Sequence, residues 1–336
     1  MFFLKNSNKM FFTFILFFST LISISSNSWF GCWIGLEMNL LSFIPLISNS
    51  KNLLASEASL KYFLIQSIAS INLLFIIMIK MLFFNLEMNN NISMLMNSTL
   101  LMKMGSTPFH FWFPNIMEGL SWMNCFILMT WQKISPMILM SYYFFDKFLI
   151  FILIINVIIG AIGGLNQTSL RKLLAFSSIN NLGWMISSIM ISENLWLMYF
   201  CFYSFLNGIM CLLFFMFNVY FINQLFIINL NIMIKLSFII NFLSLGGLPP
   251  FIGFLPKWLM INFLLNNNFS ILSFIFIMMS LITLLFYIRI IYSSIMFNYL
   301  KLKWFKMLIK NNNFTIMNLL SMFSLLGMIT STFFYL

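Results

Sequence analysis

Glu37, Lys103, Lys133 and Lys257 are ionisable side chains set inside long apolar runs. A charge at mid-bilayer depth costs about 2.5–3.5 kcal/mol on insertion scales. Burial favours a neutral amine, while a nearby carboxylate favours the charged one. A buried lysine can therefore take up or release a proton as its neighbours change charge, which is the chemistry these four residues could do. The alternative is structural, an ion pair such as Glu37 with a lysine. Lys103 lies about ten residues from either end of its run, too far in to reach the surface. Lys61 and Lys80, nearer helix ends, can snorkel.

Two stretches must position these charges. Gly105-Ser106-Thr107-Pro108-Phe109-His110-Phe111-Trp112-Phe113-Pro114 follows Lys103 and Met104, and Gly246-Gly247-Leu248-Pro249-Pro250-Phe251-Ile252-Gly253-Phe254-Leu255-Pro256 precedes Lys257. Both contain Pro-Phe-x-x-aromatic-apolar-Pro. Pro108 corresponds to Pro250 and Pro114 to Pro256, an offset of 250 − 108 = 142 residues. A pair of broken apolar helices at matching places in two halves points to a transport path. Gly105, Pro108, Gly246, Gly247, Pro249 and Pro250 are the expected helix breakers. Proline frees the carbonyl four residues back, here Met104, Gly246 and, through Pro136, Gln132. Such carbonyls can hold water, which lysines beyond direct hydrogen-bond reach need in order to pass protons.

Only 7% of the 336 residues are charged and 62% are hydrophobic, with mean hydropathy +1.01. A soluble domain carries about 25% charge, so the chain reads as a polytopic membrane protein. Its apolar runs are continuous rather than alternating, which favours helices over a barrel. Spans are expected at about 8–25, 28–48, 56–82, 92–114, 122–144, 148–166, 170–190, 195–222, 235–262, 269–292 and 314–334. Residues 1–28 also mimic a secretory signal, but the next apolar run follows at once. With eleven spans, loops on the N-terminal side carry Lys5, Lys9, Lys51, Arg171, Lys172, Lys235, Lys301, Lys303, Lys306 and Lys310, against Lys147 opposite. The net charge of +11 thus reads as topology rather than nucleic-acid binding. The broken spans stand fourth and ninth, five apart. The expected fold is therefore all-α, with two inverted five-helix repeats, 1–146 and 147–298, and then 299–336 as a basic loop and last helix. Segment 301–310 is either an interfacial helix or a loop that only fixes topology.

His110 is either a relay or a packed, hydrogen-bonded histidine. Glu118 is either a gate or a solvated loop residue. Glu57 and Lys61 have the spacing of a helical ion pair. Cys32, Cys125, Cys201 and Cys211 read as small buried hydrophobes, and without Cys-x-x-Cys no iron–sulfur or haem ligation is expected.

The chain resembles the subunit-2 family of mitochondrial NADH:ubiquinone oxidoreductase, the antiporter-like membrane subunits of respiratory complex I. The resemblance rests on Trp33-Ile34-Gly35-Leu36-Glu37-Met38-Asn39, Glu57-Ala58-Ser59-Leu60-Lys61-Tyr62-Phe63, Lys103 with Pro108 to Trp112, Thr130-Trp131-Gln132-Lys133, Gly163-Gly164-Leu165-Asn166-Gln167-Thr168, and Gly246 through Pro256-Lys257-Trp258. Eleven helices agree with the shortened animal form, which looks like the family without its first three. The resemblance implies proton translocation across the mitochondrial inner membrane, coupled to NADH:ubiquinone electron transfer on other subunits. Glu37 would be the coupling glutamate, Lys103 and Lys133 the central lysines and Lys257 the distal one. It implies no cofactor on this chain, with FMN, iron–sulfur clusters and ubiquinone held elsewhere. Its neighbours would be subunits 4 and 4L, with phospholipids around them. The N-terminus would face the matrix and the C-terminus the intermembrane space. Where relatives often read Ser-Ser-Ile-x-His-x-Gly, this chain has Asn181, which leaves a water-holding amide in place of a histidine relay. A free-standing cation/proton antiporter and a purely structural arm spacer remain as rivals.

Overall fold

The computed structural model describes residues 7–49, 51–82, 89–227, 232–296, 319 and 321–325. Among them there is no strand, only an isolated antiparallel bridge between Ser169 and Phe221. In chain order the helices are α1 (Ser7–Ser25), α2 (Trp29–Ile47), α3 (Leu53–Leu82), α4 (Asn89–Met104), α5 (Trp112–Gly119), α6 (Trp122–Met129), α7 (Trp131–Ser141), α8 (Asp146–Gly164), α9 (Leu170–Ile191), α10 (Glu193–Phe217), α11 (Ile222–Ile227), α12 (Ile232–Gly246), α13 (Phe254–Asn266) and α14 (Ser270–Met296).

Among the described residues, seven helices are long and apolar enough to cross a membrane: α1, α2, α3, α8, α9, α10 and α14. Their ends follow local chemistry. Ser28 caps α2 by accepting from the Gly31 N–H at 3.2 Å, and Ser192 caps α10 by accepting from Leu195 at 3.4 Å. The expected spans at 92–114 and 235–262 are each split in two, as their glycines and prolines require. The expected span at 122–144 is also split, at a place the sequence reading did not mark. Thr130 turns its hydroxyl back onto the Phe126 carbonyl at 2.7 Å, a bond that bends helices, and α6 stops there. The basic segment 301–310 and the ends of the expected last span lie outside the described residues.

The chain divides into two compact units, Met1–Ile152 and Leu153–Leu336, with the division inside α8. In the first, α3 is the central element and packs on α2, α4 and α5. Its inner face is small or polar, with Ala55, Ala58, Ser59, Tyr62, Gln66, Ala69 and Ser70 buried. Small side chains let helices approach closely where no hydrophobic effect drives them together. Its opposite face exposes Leu60, Leu64, Ile71 and Phe75, as a lipid-facing surface does. In the second unit α9 is the most enclosed long helix and buries Ser177, Ser178, Asn180, Ser187 and Ser188. These serines return their hydroxyls to carbonyls one turn back, for example Ser178 to Ala175 at 2.7 Å, and so bury without stranding a donor.

Candidate functional site

The first break begins where α4 ends at Met104. Gly105 adopts φ +72, in the left-handed region that favours glycine. Its N–H reaches the Met102 carbonyl at 3.3 Å, and the Ser106 N–H reaches Leu101 at 3.1 Å. That pair of bonds is a Schellman closure. The Ser106 hydroxyl adds a third bond to the Leu101 carbonyl, at 3.0 Å. A Cβ on Gly105 would come within 3.0 Å of the Phe113 Cβ and 3.1 Å of the Trp112 ring. The chain then doubles through residues 106–111 and re-enters helix at Trp112.

Lys103 lies in the last turn of α4 and is 7% exposed. The Gln66 amide on α3 donates to its backbone carbonyl at 3.1 Å, tying the two helices at that level. Lys133, in the first turn of α7, is 1% exposed, and its Nζ stands 5.4 Å from the centre of the Phe113 ring, within cation–π range. Phe113 therefore lies between the glycine of the break and the second lysine, and α7 packs on α4. Glu37, half-buried on α2, interacts through space with both Lys103 and Tyr62. It does not close to a 4.0 Å ion pair with a lysine, so the structural pairing of Glu37 is not formed among the described residues. The pair that does close is Glu57 with Lys61, at 2.5 Å on the exposed side of α3. Lys80, where snorkelling was expected, hydrogen-bonds Tyr143 and lies over the Trp29 and Tyr143 rings.

Between the helices that carry these charges runs a hydrogen-bonded chain that no sequence motif announced. The Tyr62 hydroxyl donates to Gln132 Oε1 at 3.4 Å, and Gln132 Nε2 donates to Asn39 Oδ1 at 2.9 Å. Tyr62 and Asn39 are 2% and 3% exposed. This chain crosses from α3 through α7 to α2, beginning at a residue that feels Glu37 and passing through the neighbour of Lys133. Its signal was an amide beside a lysine in an apolar run, Gln132-Lys133, whose amide must find partners when buried.

The second break repeats the first. α12 ends at Gly246, and Gly247 has φ +81. The Gly247 N–H bonds the Ser244 carbonyl at 3.1 Å and the Leu248 N–H bonds Leu243 at 3.4 Å. Helix resumes at Phe254. Here the lysine is on the far side of the break: Lys257, 9% exposed in the first turn of α13, donates from Nζ to the Gly246 carbonyl at 3.0 Å. Gly246 ends α12, so its carbonyl has no partner within the helix, and the Lys257 side chain rather than the expected water takes it. The described segment 321–325 also closes this break, because the Ile252 N–H bonds the Ser324 carbonyl at 3.1 Å. Asn181 on α9 accepts from the Tyr199 hydroxyl at 3.1 Å. Asn181, Tyr199, Tyr203 and Lys257 line one cavity of about 20 Å³, room for a single water.

Of the other expected site residues, His110 is 6% exposed, lies against the Phe111 ring at 4.3 Å and has no hydrogen-bond partner at Nδ1. Glu118 is not a loop residue; it is half-buried in the last turn of α5. Pro108 follows a cis peptide bond within the break, and Pro249 and Pro250 are exposed in theirs. Cys32, Cys125 and Cys211 are buried as expected, but Cys201 is exposed on α10. Among the described residues, no group of three or more His, Cys, Asp or Glu is placed to hold a metal.

A family model for the transmembrane part of NADH:quinone oxidoreductase and Mrp antiporters matches residues 26–283. NADH-ubiquinone oxidoreductase chain 2 of Anopheles gambiae is 53% identical over 317 residues, covering 92% of this chain and 91% of that one. Its counterpart in Locusta migratoria is 45% identical over 336 residues, covering 99% and 98%. In solved structures, a chain of respiratory complex I from Thermus thermophilus with bound aureothin superposes with a TM-score of 0.80 at 19% identity, covering 95% of this chain and 78% of that chain. The paired broken helices, the buried lysines and these matches agree, and the chain belongs to the NADH:quinone oxidoreductase/Mrp antiporter family of membrane subunits, among the relatives named NADH-ubiquinone oxidoreductase chain 2.

Proposed function

We infer that this chain is a proton-translocating membrane-arm subunit of NADH:ubiquinone oxidoreductase, with electron transfer carried out on other subunits. The observation that carries the reading is the placement of Lys103 and Lys257 at two Schellman-closed breaks 142 residues apart, in a chain of this family. In the mechanism we propose, a charge shift near Glu37 alters the proton affinity of Lys103. Lys103 passes protons through Lys133 towards Lys257. The Tyr62–Gln132–Asn39 chain supports the first transfer, because it joins the helices that carry Glu37 and Lys133. The small cavity beside Lys257 supports a water-assisted step at the distal end. His110 and Glu118 would serve as relay or gate, and Asn181 would hold the water that a histidine would otherwise replace.

Each broken pair, α4–α5, α6–α7 and α12–α13, counts as one crossing in this proposal, and the residues after 299 supply the last of eleven. The two five-helix repeats, 1–146 and 147–298, would be inverted relative to each other. The protein would lie in the mitochondrial inner membrane, N-terminus in the matrix and C-terminus in the intermembrane space, beside subunits 4 and 4L. Flavin, iron–sulfur clusters and quinone would stay on other subunits.

The first test is a native gel of mildly solubilised membranes, probed for this chain and stained for NADH dehydrogenase activity. Co-migration with a very large active band is expected; a small inactive band would favour a free-standing antiporter. The second is Lys103→Met in the assembled complex, with protons counted per electron. Unchanged pumping would remove Lys103 from the path.

A further inference from the structure

We propose that a pocket at one end of the second unit binds the headgroup of a single anionic phospholipid. It lies among the C-terminal end of α8, the N-terminal end of α9, α11 and the C-terminal part of α14. Its volume is about 490 Å³, within the roughly 300–1,000 Å³ of small-ligand pockets. Neither break and none of the buried lysines lines it.

Its walls are built, not loose. The Leu170 N–H bonds the Tyr220 carbonyl at 3.0 Å and the Ile222 N–H bonds Thr168 at 3.1 Å, so the loop after α8 and the loop before α11 are stitched together. Arg289 donates to the Leu165 carbonyl at 3.3 Å, which fixes its guanidinium at the rim while the side chain stays exposed. Asn166, Gln167, Thr168 and Asn223 supply the other polar groups. A guanidinium with amide and hydroxyl groups around it is phosphate-binding chemistry, since Arg meets phosphate through paired, charge-assisted hydrogen bonds.

Two features select a lipid over free phosphate. The floor is apolar, with Leu173, Ile222, Phe286 and Ile290 facing the space. Beside Arg289 on α14, Leu285 and Ile288 are exposed, an apolar surface next to the polar rim. A polar, basic head site with an apolar floor, beside an exposed apolar face of α14, fits a glycerophospholipid, with phosphate at Arg289 and acyl chains along Leu285 and Ile288. The location agrees: Arg171, Lys172 and Lys235 lie at this end, the face that the loop charges assign to the inside of the membrane.

The site rests on the membrane reading alone and not on proton transfer, so lipid retention and proton pumping can fail separately. The test uses the intact complex, purified in mild detergent and moved into nanodiscs of phosphatidylcholine with or without phosphatidylglycerol. Bound phospholipid is measured by mass spectrometry. The parent is expected to retain one more anionic phospholipid than Arg289→Met, which weakens retention about tenfold through the lost charge-assisted bonds. Asn223→Trp leaves Arg289 in place and fills the pocket from an exposed position; it is expected to lose the same lipid. Retention equal to the parent in either assembled variant overturns the proposal. So does release of the lipid by inorganic phosphate at millimolar concentration, which would make this a free-anion site.

Discussion

The two breaks share a backbone and differ in where the charge stands. α4 ends at Met104 and α12 at Gly246; α5 begins at Trp112 and α13 at Phe254; Gly105 and Gly247 both have positive φ. Each of these pairs is 142 residues apart. Yet Lys103 precedes its glycine, and Lys257 follows its own by ten residues and bonds across the gap to Gly246. The position matching Lys103 in the second unit is Leu245, and that matching Lys257 in the first is Asn115. The repeated part is therefore the helix interruption, an irregular backbone held inside protein where lipid would not tolerate it. The first break places its lysine within the electrostatic influence of Glu37, whereas the second clamps its lysine to the backbone.

The largest expected effect strikes the shared part. Gly105→Ala and Gly247→Ala both place a Cβ on a left-handed residue, at about 1–2 kcal/mol. At Gly105 the added carbon also meets the Phe113 Cβ and the Trp112 ring, which are fixed by the restart of helix. At Gly247 it meets the far end of Lys257, which can swing aside. Gly105→Ala should therefore deplete the assembled complex on a native gel more than Gly247→Ala. Equal depletion would mean that strain alone matters and that Phe113 is not a fixed wall.

The lysines should separate next. Lys103→Met is expected to leave assembly intact and lower proton translocation by roughly 10²-fold, the lower range for loss of a positioned proton-transfer group. Lys257→Met removes a bond as well as a carrier. It strands the buried Gly246 carbonyl at about 1–3 kcal/mol, so the yield of assembled complex should fall along with pumping. If both variants assemble equally well, the clamp at the second break contributes no stability and the contrast reduces to sequence position.

A smaller effect is expected in the hydrogen-bonded chain of the first unit. Tyr62→Phe removes a long bond to Gln132 and should cost about 0.5–1 kcal/mol. Gln132→Leu removes the centre and leaves both Tyr62 and Asn39 short of a partner. If the chain positions the first proton transfer, Gln132→Leu should lower protons per electron more than Tyr62→Phe at equal NADH oxidation. A parallel fall in both readouts would mark a packing role only.

Much of this was legible because the signals were chemical. Gly105, Pro108, Gly247 and Pro250 cluster helix-disfavouring residues at two places, so both breaks could be placed from sequence, and their matched spacing exposed the relation between them. Lys103 and Lys133 could be singled out, and their burial expected, because a charge in an apolar run has few bland explanations. The stop at Thr130 was not legible, because threonine is common within apolar helices and its back-bond to Phe126 is of a kind that leaves α9 intact at Ser178. Nor was the Tyr62–Gln132–Asn39 chain, whose members are 23, 70 and 93 residues apart and meet only through packing. The clamp of Lys257 on Gly246 lay between these cases. An open carbonyl at Gly246 was expected, but the group that takes it depends on how α13 returns past α12.

The smallest expected effect concerns Asn181, an amide where the resemblance implies a histidine. Asn181 accepts from Tyr199, a hydroxyl on a residue only 3% exposed. Asn181→Leu should cost about 1–3 kcal/mol by leaving that hydroxyl without its acceptor. Asn181→His keeps an acceptor nitrogen in a neutral ring and should cost little in assembly. The pair then reports on function in the second unit, whose only described direct bond at Lys257 is the clamp. If the cavity water beside Lys257 suffices, Asn181→His should pump as the parent does. Faster pumping in Asn181→His, with assembly unchanged, would show that proton transfer at the second break is limited by the lack of a titrating partner, and would make the clamped lysine the slow step of the two.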